Sequence, residues 1–330
     1  MSSIYYLGID TSCYTTSVAI VDDSERIVYD SRIMLSVERG MRGLRQSEAV
    51  FQHIKNLEPL CNDAMSKLKL QKPCCISVSS SPRNIEGSYM PVFITGYNIA
   101  SIMASCLGVP LYECSHQQGH IVAGAWSADR ELTGDYLVYH ISGGTTELLK
   151  AQASSEVYNI IGGTEDLNAG QFIDRVGVAM GLEFPCGKEM DKLCSKFDTA
   201  AIELPVSVKG SYLSFSGPES YVQRILDKER LDNEGYKANV ARSVFYSIGK
   251  AIEKTILNAC KEYNINKVLL VGGVASNSII RNLLMQSKGI EKGGINLIIS
   301  DSRYSSDNAV GAAIFGKRVY ENNGGLNKRV

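Results

Sequence analysis

The sequence predicts an α/β protein built from two similar halves, and a repeated pattern carries that prediction. Ile4–Asp22, reading IYYLGIDTSCYTTSVAIVD, runs apolar stretch, Gly/Asp/Thr/Ser turn, apolar stretch. Asp135–Lys150, reading DYLVYHISGGTTELLK, repeats that order. Each is a hairpin signal, and both turns carry small residues whose backbone N–H groups can approach an anion closely. Their recurrence in a chain of 330 residues points to duplicated α/β halves facing each other across a cleft, each opening with a hairpin whose turn points at bound phosphate. The halves are expected at 1–128 and 129–330, with the final helix, 307–322, packing back at the interface between them.

The remaining elements follow in order. Ser47–Leu68 has helical apolar spacing through Val50, Ile54, Leu57, Leu60, Met65 and Leu68. Cys75–Ser80 reads as a short strand, ended by the turn Ser81-Pro82-Arg83-Asn84. Gly87–Tyr112 contains no charged residue, yet Pro91, Gly96, Asn98, Gly108 and Pro110 interrupt it, so a buried, small-residue-rich core helix is expected rather than a membrane span. Gln171–Leu182 and Lys188–Phe197 read as helices separated by the turn Phe184-Pro185-Cys186-Gly187, and Asp227–Lys237 as a solvated charged loop. Ala238–Tyr263 reads as a long amphipathic helix, and Lys267–Val271 as a buried strand entering Gly272-Gly273 and a helix. Asn296–Ser300 is a further strand, and Asp307-Asn308 heads the last, Ala/Gly-rich helix.

Composition narrows the function classes. Hydrophobic residues make up 44% and charged residues 21%, which excludes disorder, a collagen-like chain and a disulfide miniprotein. Lys and Arg number 34 against 35 Asp and Glu, a net charge of −1, so no overall field draws the chain to nucleic acid or an anionic membrane. Nine cysteines, an odd number without a C-x-x-C pair, together with a start lacking signal-peptide features, lead to the expectation of free thiols in a cytoplasmic protein.

Three of the four histidines lie close to two motifs. In Ser115-His116-Gln117-Gln118-Gly119-His120, Ser115 and Gln118 form a capping-box pattern, placing His116 and His120 one turn apart on one helix face. Two such imidazoles can converge on one divalent metal; a pair of surface or core histidines is the competing reading. Asp307, at a loop-to-helix junction, is the best third ligand, expected to reach the pair across the cleft. His140 is the candidate fourth, with a core histidine bonded to backbone as its alternative. The strand–glycine turn–helix at Val271–Asn277 suits a phosphate or a ribose hydroxyl. Asp174 and Asp191, on either side of Gly187, are candidates for a ribose or amino group, or else solvated helix residues.

Taken together, these motifs identify the chain as a member of the TsaD family of tRNA threonylcarbamoyladenosine transferases. The resemblance rests on Leu7-Gly8-Ile9-Asp10-Thr11-Ser12-Cys13, Ser115–His120, Ile141-Ser142-Gly143-Gly144-Thr145-Thr146, Asp174, Gly187, Ser214-Phe215-Ser216-Gly217, Gly272–Asn277 and Ser306-Asp307-Asn308-Ala309, in that order. It implies an actin-like ATPase (ASKHA) fold with two RNase H-like halves. It implies one iron or zinc ion at His116, His120 and Asp307, with His140 where some relatives place a tyrosine. It implies that Ser142, Gly143, Gly144, Asp174, Gly187, Asp191 and Asn277 hold a nucleotide, either threonylcarbamoyl-AMP or ATP, ADP or AMP. The implied reaction moves the threonylcarbamoyl group to N6 of adenine 37 in tRNA, with TsaB-like and TsaE-like partners. The peptidase activity once attached to the family (as O-sialoglycoprotein endopeptidases) finds no support, because there is no H-E-x-x-H and Gln117 and Gln118 offer no general base.

The chain departs from the family pattern at several polar positions. Tyr14 and Thr15 replace an acidic pair, Thr145-Thr146-Glu147 stand for His-Thr-Gln, Leu167 and Gln171 replace acidic residues, and Pro218-Glu219 replaces Leu-Lys. These differences open two alternatives to the tRNA transferase. One is a carbamoyltransferase with a small-molecule acceptor. The other is a non-catalytic nucleotide-binding partner of a genuine TsaD, in a homo- or heterodimer.

Overall fold

The computed structural model describes residues 4–12, 14–38, 43–69, 71–128, 132, 134–152, 155–198, 202–226 and 228–325. Cys13 of the first motif and Asp227 of the expected loop lie outside the described residues. The chain divides into two compact units: Met1–Ser36, Leu44–Ser127 and Ser306–Val330 form one, and Val37–Gly43 and Ala128–Ser305 form the other.

The first unit opens with the expected hairpin, β1 (Tyr5–Asp10) and β2 (Thr15–Asp22), and adds a strand, β3 (Ile27–Met34). Helix α1 (Gln46–Lys67), strand β4 (Ile76–Ser81), helix α2 (Pro91–Leu107), strand β5 (Leu111–Ser115) and helix α3 (His116–Ser127) complete its continuous part. The sheet order is β3-β2-β1-β4-β5, antiparallel through β1–β3 and parallel from β1 to β5. From Tyr6 to Asp10 every β1 residue is buried, as a central strand covered on both faces requires. Leu7, Ile9, Val18 and Ile20 form one core with Leu57, Leu60 and Ala64 of α1 and Ala100 and Ala104 of α2. Each fully buried Leu or Ile there contributes about 1.5–3 kcal/mol.

Pro91 starts α2 and Gly108, at φ +62°, stops it. This helix is not buried all round as expected: Ile94 and Ile102 are 44% and 60% exposed. No helix among the described residues is long and apolar enough to cross a membrane.

The second unit begins β6 (Asp135–Ile141), β7 (Thr146–Gln152) and β8 (Ser155–Thr164), followed by α4 (Ala169–Ala179) and α5 (Gly187–Lys196). A small hairpin, β9 (Ser207–Lys209) and β10 (Tyr212–Ser214), leads to α6 (Ser216–Ile225) and α7 (Glu234–Tyr263). Then come β11 (Lys267–Val271), α8 (Ser278–Met285), α9 (Lys288–Lys292), β12 (Asn296–Ile299) and α10 (Ser302–Ser305). The order β12-β11-β6-β7-β8-β10-β9 contains the first unit's pattern: β6, β7 and β8 repeat β1, β2 and β3, while β11 and β12 repeat β4 and β5. Phe245, Ile248 and Ile252 of α7 fill this unit's core with Tyr139, Leu148 and Leu270.

Two further expectations need correction. Helix α7 starts at Glu234, inside the expected loop, because the Asn233 side chain accepts from the Tyr236 N–H at 2.9 Å and caps it. The final helix, α11 (Val310–Asn322), belongs to the first unit rather than to a C-terminal half. It lies against β1 because Gly8 lacks a side chain: a Cβ there would fall 2.4 Å from the Ala309 carbonyl oxygen. It lies against α3 because a Cβ at Gly311 would fall 1.9 Å from the Gly119 carbonyl oxygen.

Candidate metal centre and nucleotide-binding turns

Strand β5 passes into α3 without a loop, and the capping box forms as its residues predict. Gln118 N–H donates to Ser115 Oγ at 3.1 Å, and Ser115 N–H donates to Gln118 Oε1 at 2.8 Å. This holds His116 in the first turn of α3, with His120 one turn on and buried beside it. Asp307 stands just before α11, and the Gly119–Gly311 approach carries it to the histidines. The three ligands therefore meet inside one unit and not across two halves, because α11 belongs to that unit.

His116 Nε2 and His120 Nε2 lie 3.0 Å apart, and Asp307 Oδ1 is 3.4 Å from the first and 3.3 Å from the second. With bonds of about 2.05 Å to a metal, adjacent ligands sit about 3.3 Å apart in a tetrahedron and about 2.9 Å apart in an octahedron. The triangle is thus one face of a coordination shell, and two nitrogens with one carboxylate oxygen suit a divalent ion of borderline softness. The residues fit a metal.

Asp10, at the end of β1, was not singled out from the sequence as part of this site. Its Oδ2 accepts from His116 Nδ1–H at 2.9 Å, and its Oδ1 accepts from the Ser12 N–H at 2.8 Å. No local pattern signals this contact, since 106 positions separate Asp10 from His116. The charges follow from the cluster. Burial works against a charged His116, but Asp10 and Asp307 outweigh it and carry its pKa up to about 10. Burial and the neighbouring His116 hold His120 below its ordinary value. Burial favours a neutral Asp307, yet the two imidazoles hold it well below the usual carboxylate range. The buried Asp10 and the partly buried Asp307 beside two imidazoles call for positive charge, supplied by a proton on His116 or by a metal ion.

His140 is not part of this group. It belongs to the second unit, in the middle of the sheet, paired with Val271 of β11 and Glu147 of β7 and buried. The reading as a fourth ligand gains no support from the converging atoms.

All seven expected nucleotide residues lie in the second unit. The turn after β6 is closed by Ser142 N–H donating to the Thr145 carbonyl at 2.8 Å. Nothing lies within 4 Å of where a Cβ at Gly143 or Gly144 would stand, so their backbone is open to a ligand. A Cβ at Gly170 would fall 2.5 Å from Gly143 Cα, so the N-terminus of α4 is pressed against the turn. The second glycine turn stands beside the first. Gly272, at φ +100°, has its Cβ position 2.3 Å from the Ile141 carbonyl oxygen, and β6 and β11 are parallel. Both turns therefore follow the C-terminal ends of neighbouring parallel strands, where ligands bind in α/β sheets.

Asp174 and Gly187 are brought together, because Cys186 N–H donates to Asp174 Oδ1 at 2.8 Å. Burial pushes the Asp174 carboxyl up to about 6. Asp191 and Asn277 meet at the head of α8. Asp191 accepts from Ser278 N–H at 3.1 Å and Ser278 Oγ at 2.6 Å, while Asn277 Oδ1 accepts from Ile279 and Ile280 N–H. Both thus cap a helix; Asn277 does so locally, whereas the role of Asp191, 87 positions from Ser278, is not revealed by its sequence position.

The departures from the family pattern have structural partners. Thr146 Oγ1 accepts from Ala169 N–H at 2.9 Å, Gln171 closes a capping box with Asn168, and Leu167 joins the core. Glu219 is buried near the start of α6, bonded to Gln223. Asp166 accepts from Ser214, Phe215, Ser216, Leu167 and Thr164, and next to it Asn168 Nδ2 donates to the Gly144 carbonyl at 3.1 Å. The Ser214–Gly217 motif is tied in this way to the loop that holds the phosphate-type turn.

The chain is similar in sequence and fold to known proteins. Residues 32–314 match the family described as TsaD, tRNA N6-adenosine threonylcarbamoyltransferase. The protein of that name from Geobacillus thermodenitrificans is 31% identical over 330 residues, covering 96% of this chain and 92% of its own. The one from Thermosipho africanus is 30% identical over 320 residues, covering 96% and 94%. Among solved structures, the activator of 2-hydroxyisocaproyl-CoA dehydratase from Clostridium difficile, with bound ADPNP, superposes with a TM-score of 0.57 at 16% identity, covering 99% of each chain. A ROK hexokinase from Thermus thermophilus gives 0.53 at 14% identity, covering 97% of this chain and 100% of its own. The fold is that of the actin-like ATPases, and the chain belongs to the TsaD family.

Proposed function

We propose that this protein transfers the threonylcarbamoyl group of threonylcarbamoyl-AMP to N6 of adenine 37 in tRNA, with a divalent iron or zinc ion held by His116, His120 and Asp307. The observation that carries the reading is the coordination-sized triangle of Nε2, Nε2 and Oδ1 in a member of a family named for that transfer. In the step, the N6 amine bonds to the carbamoyl carbon, the bond from that carbon to the AMP phosphate oxygen breaks, and the amine's proton passes to solvent. When bound, the ion supplies a Lewis acid for the carbamoyl carbonyl. The open backbone of Gly143 and Gly144, with the positive dipole end of α4 behind it, receives the AMP phosphate and stabilises the charge it gains on leaving. Asp174, Gly187, Asp191 and Asn277 are proposed to position the nucleoside; the ADPNP bound in the similarly folded activator structure supports a nucleotide as ligand. TsaB-like and TsaE-like proteins are the proposed partners. Eight free cysteines among the described residues support a reducing, cytoplasmic setting.

Glu219 favours a second reading, in which the acceptor is not tRNA. A buried carboxylate at the head of α6, where the family carries lysine, is a poor neighbour for a polyanion. One experiment separates the readings. Metal-loaded protein is incubated with threonylcarbamoyl-AMP, the TsaB-like and TsaE-like proteins and unmodified tRNA, and nucleosides and AMP are quantified by mass spectrometry. Threonylcarbamoyladenosine in the tRNA is the expected product. Release of AMP that needs no tRNA would shift the assignment to a small-molecule acceptor. No turnover, with a stable complex on a second TsaD, would make the chain a binding partner.

A further inference from the structure

We infer that Asp10 is the positioning residue of the metal centre: its carboxylate fixes the His116 tautomer that turns the Nε2 lone pair toward His120 and Asp307. This rests on the reading of His116, His120 and Asp307 as metal ligands. An ionised carboxylate only accepts hydrogen bonds. Both Asp10 oxygens are committed, Oδ1 to Ser12 N–H at 2.8 Å and Oδ2 to His116 Nδ1 at 2.9 Å. The proton of a neutral His116 therefore sits on Nδ1, and Nε2 is left bare 3.0 Å from His120 Nε2 and 3.4 Å from Asp307 Oδ1. Asp10 is 1% exposed and His116 9%, so water does not readily replace this bond. The carboxylate is held in place from behind, because β1 presses on α11 through Gly8 and the Ser12 N–H anchors the second oxygen.

An amide at this position cannot do the same work. If its oxygen stays on the Ser12 N–H, its NH2 faces Nδ1, which must then accept, and the imidazole proton moves to Nε2, where the metal binds. If the amide flips, the Ser12 N–H loses its acceptor in a buried turn. Groups that orient a metal-bound histidine in this way typically change affinity roughly 10- to 100-fold when removed.

The test uses the full chain stripped of metal and titrated with Zn2+ against a chromophoric chelator. Wild type, Asp10→Asn, Asp10→Glu and His116→Ala are compared, with thermal melts to confirm folding. Asp10→Asn is expected to bind Zn2+ roughly 10- to 100-fold more weakly, and Asp10→Glu, which keeps two acceptor oxygens, to recover most of the loss. Long-range 15N–1H spectra of the zinc-loaded wild type should show the His116 proton on Nδ1. A folded Asp10→Asn with wild-type affinity, or a proton absent from Nδ1, would overturn the inference. If wild type and His116→Ala bind Zn2+ equally, the ligand set itself is wrong. Loss in His116→Ala without loss in Asp10→Asn removes only the role of Asp10.

Discussion

Gly311 meets Gly119 backbone to backbone: a Cβ on Gly311 would stand 1.9 Å from the Gly119 carbonyl oxygen. That contact sets the spacing of α3 and α11, and with it the reach from Asp307 to His116 and His120. Gly311→Ala must push the helices apart, an overpacking change that costs about 1–3 kcal/mol. We expect a lower melting temperature and at least about tenfold weaker Zn2+ binding, since a shifted ligand distorts the triangle. Gly143→Ala is the contrast, because nothing lies within 4 Å of its Cβ position. It should melt like wild type and bind nucleotide more weakly. Unchanged Zn2+ affinity in a destabilised Gly311→Ala would mean that the helix contact does not set the site.

Local chemistry explains which parts were legible in the sequence. The Ser115–Gln118 capping box is encoded within four positions, so the placement of His116 and His120 could be read directly. The hairpins at Tyr5–Asp22 and Asp135–Gln152 announce themselves by apolar runs around small-residue turns. Strand β3, IVYDSRIM, lies at a sheet edge and exposes Val28 and Met34 together with Asp30, so no alternation of apolar and polar residues marks it. Strands β9 and β10 have three residues each, too short for a period to show. An Ala/Gly helix such as α11 says that something packs closely against it, but not which sheet, and so its unit was missed. Asp10 escaped for the same reason: its partner is set by tertiary structure. Asn277 caps α8 through bonds to the N–H groups two and three residues on, a local pattern, but the Asp191 contact with Ser278 depends on how α5 lies against that helix.

Metal binding should release a proton. Asp10 and Asp307 keep His116 protonated up to a pKa of about 10, whereas His120 is held low and Asp307 is ionised. At neutral pH an ion at Nε2 therefore displaces about one proton, from His116. Calorimetry in buffers of different ionisation heat should give about one proton per Zn2+, with affinity rising about tenfold per pH unit from 7 toward 9. The metal-free protein has the opposite trend in stability. The folded pKa of His116 lies above the unfolded value of about 6.5, so its contribution is complete below that pH and fades as pH rises through 10. A proton count near zero would show that His116 is already neutral in the metal-free protein.

Asp166 should act as an acid-sensitive clasp on α6. Hydrogen bonds from Ser214, Ser216, Leu167 and Phe215 outweigh partial burial and hold its carboxyl well below the usual range. A depressed folded pKa gives stability that is present above the unfolded value, about 3.9, and is lost as pH falls toward the folded one. Asp166→Asn keeps one acceptor oxygen and is expected to lower the melting temperature at neutral pH by a few degrees. The gap from wild type should narrow below about pH 4. Equal melting curves at neutral pH would show that the serines hold α6 without it.

Asp174 presents the reverse case, a group whose ionisation weakens the fold where the ligand needs it. Burial raises its carboxyl to about 6, and only the Cys186 N–H at 2.8 Å offsets the desolvation. The unfolded chain ionises this group near 3.9, so the penalty grows from there to about pH 6 and is constant above. Asp174→Asn retains an acceptor for Cys186 N–H and carries no charge. It should be more stable by about 1–2 kcal/mol at neutral pH, with the advantage disappearing near pH 4. If Asp174 accepts from a nucleoside hydroxyl, the same variant binds AMP or ATP more weakly, by about 1.5–3 kcal/mol for a lost bond to a charged group. Thermal melts across pH, together with nucleotide titration, read both effects on one variant. A gain in stability with unchanged nucleotide affinity would place Asp174 outside the binding site. A loss of stability would show that the charged form is stabilised by more than the Cys186 N–H.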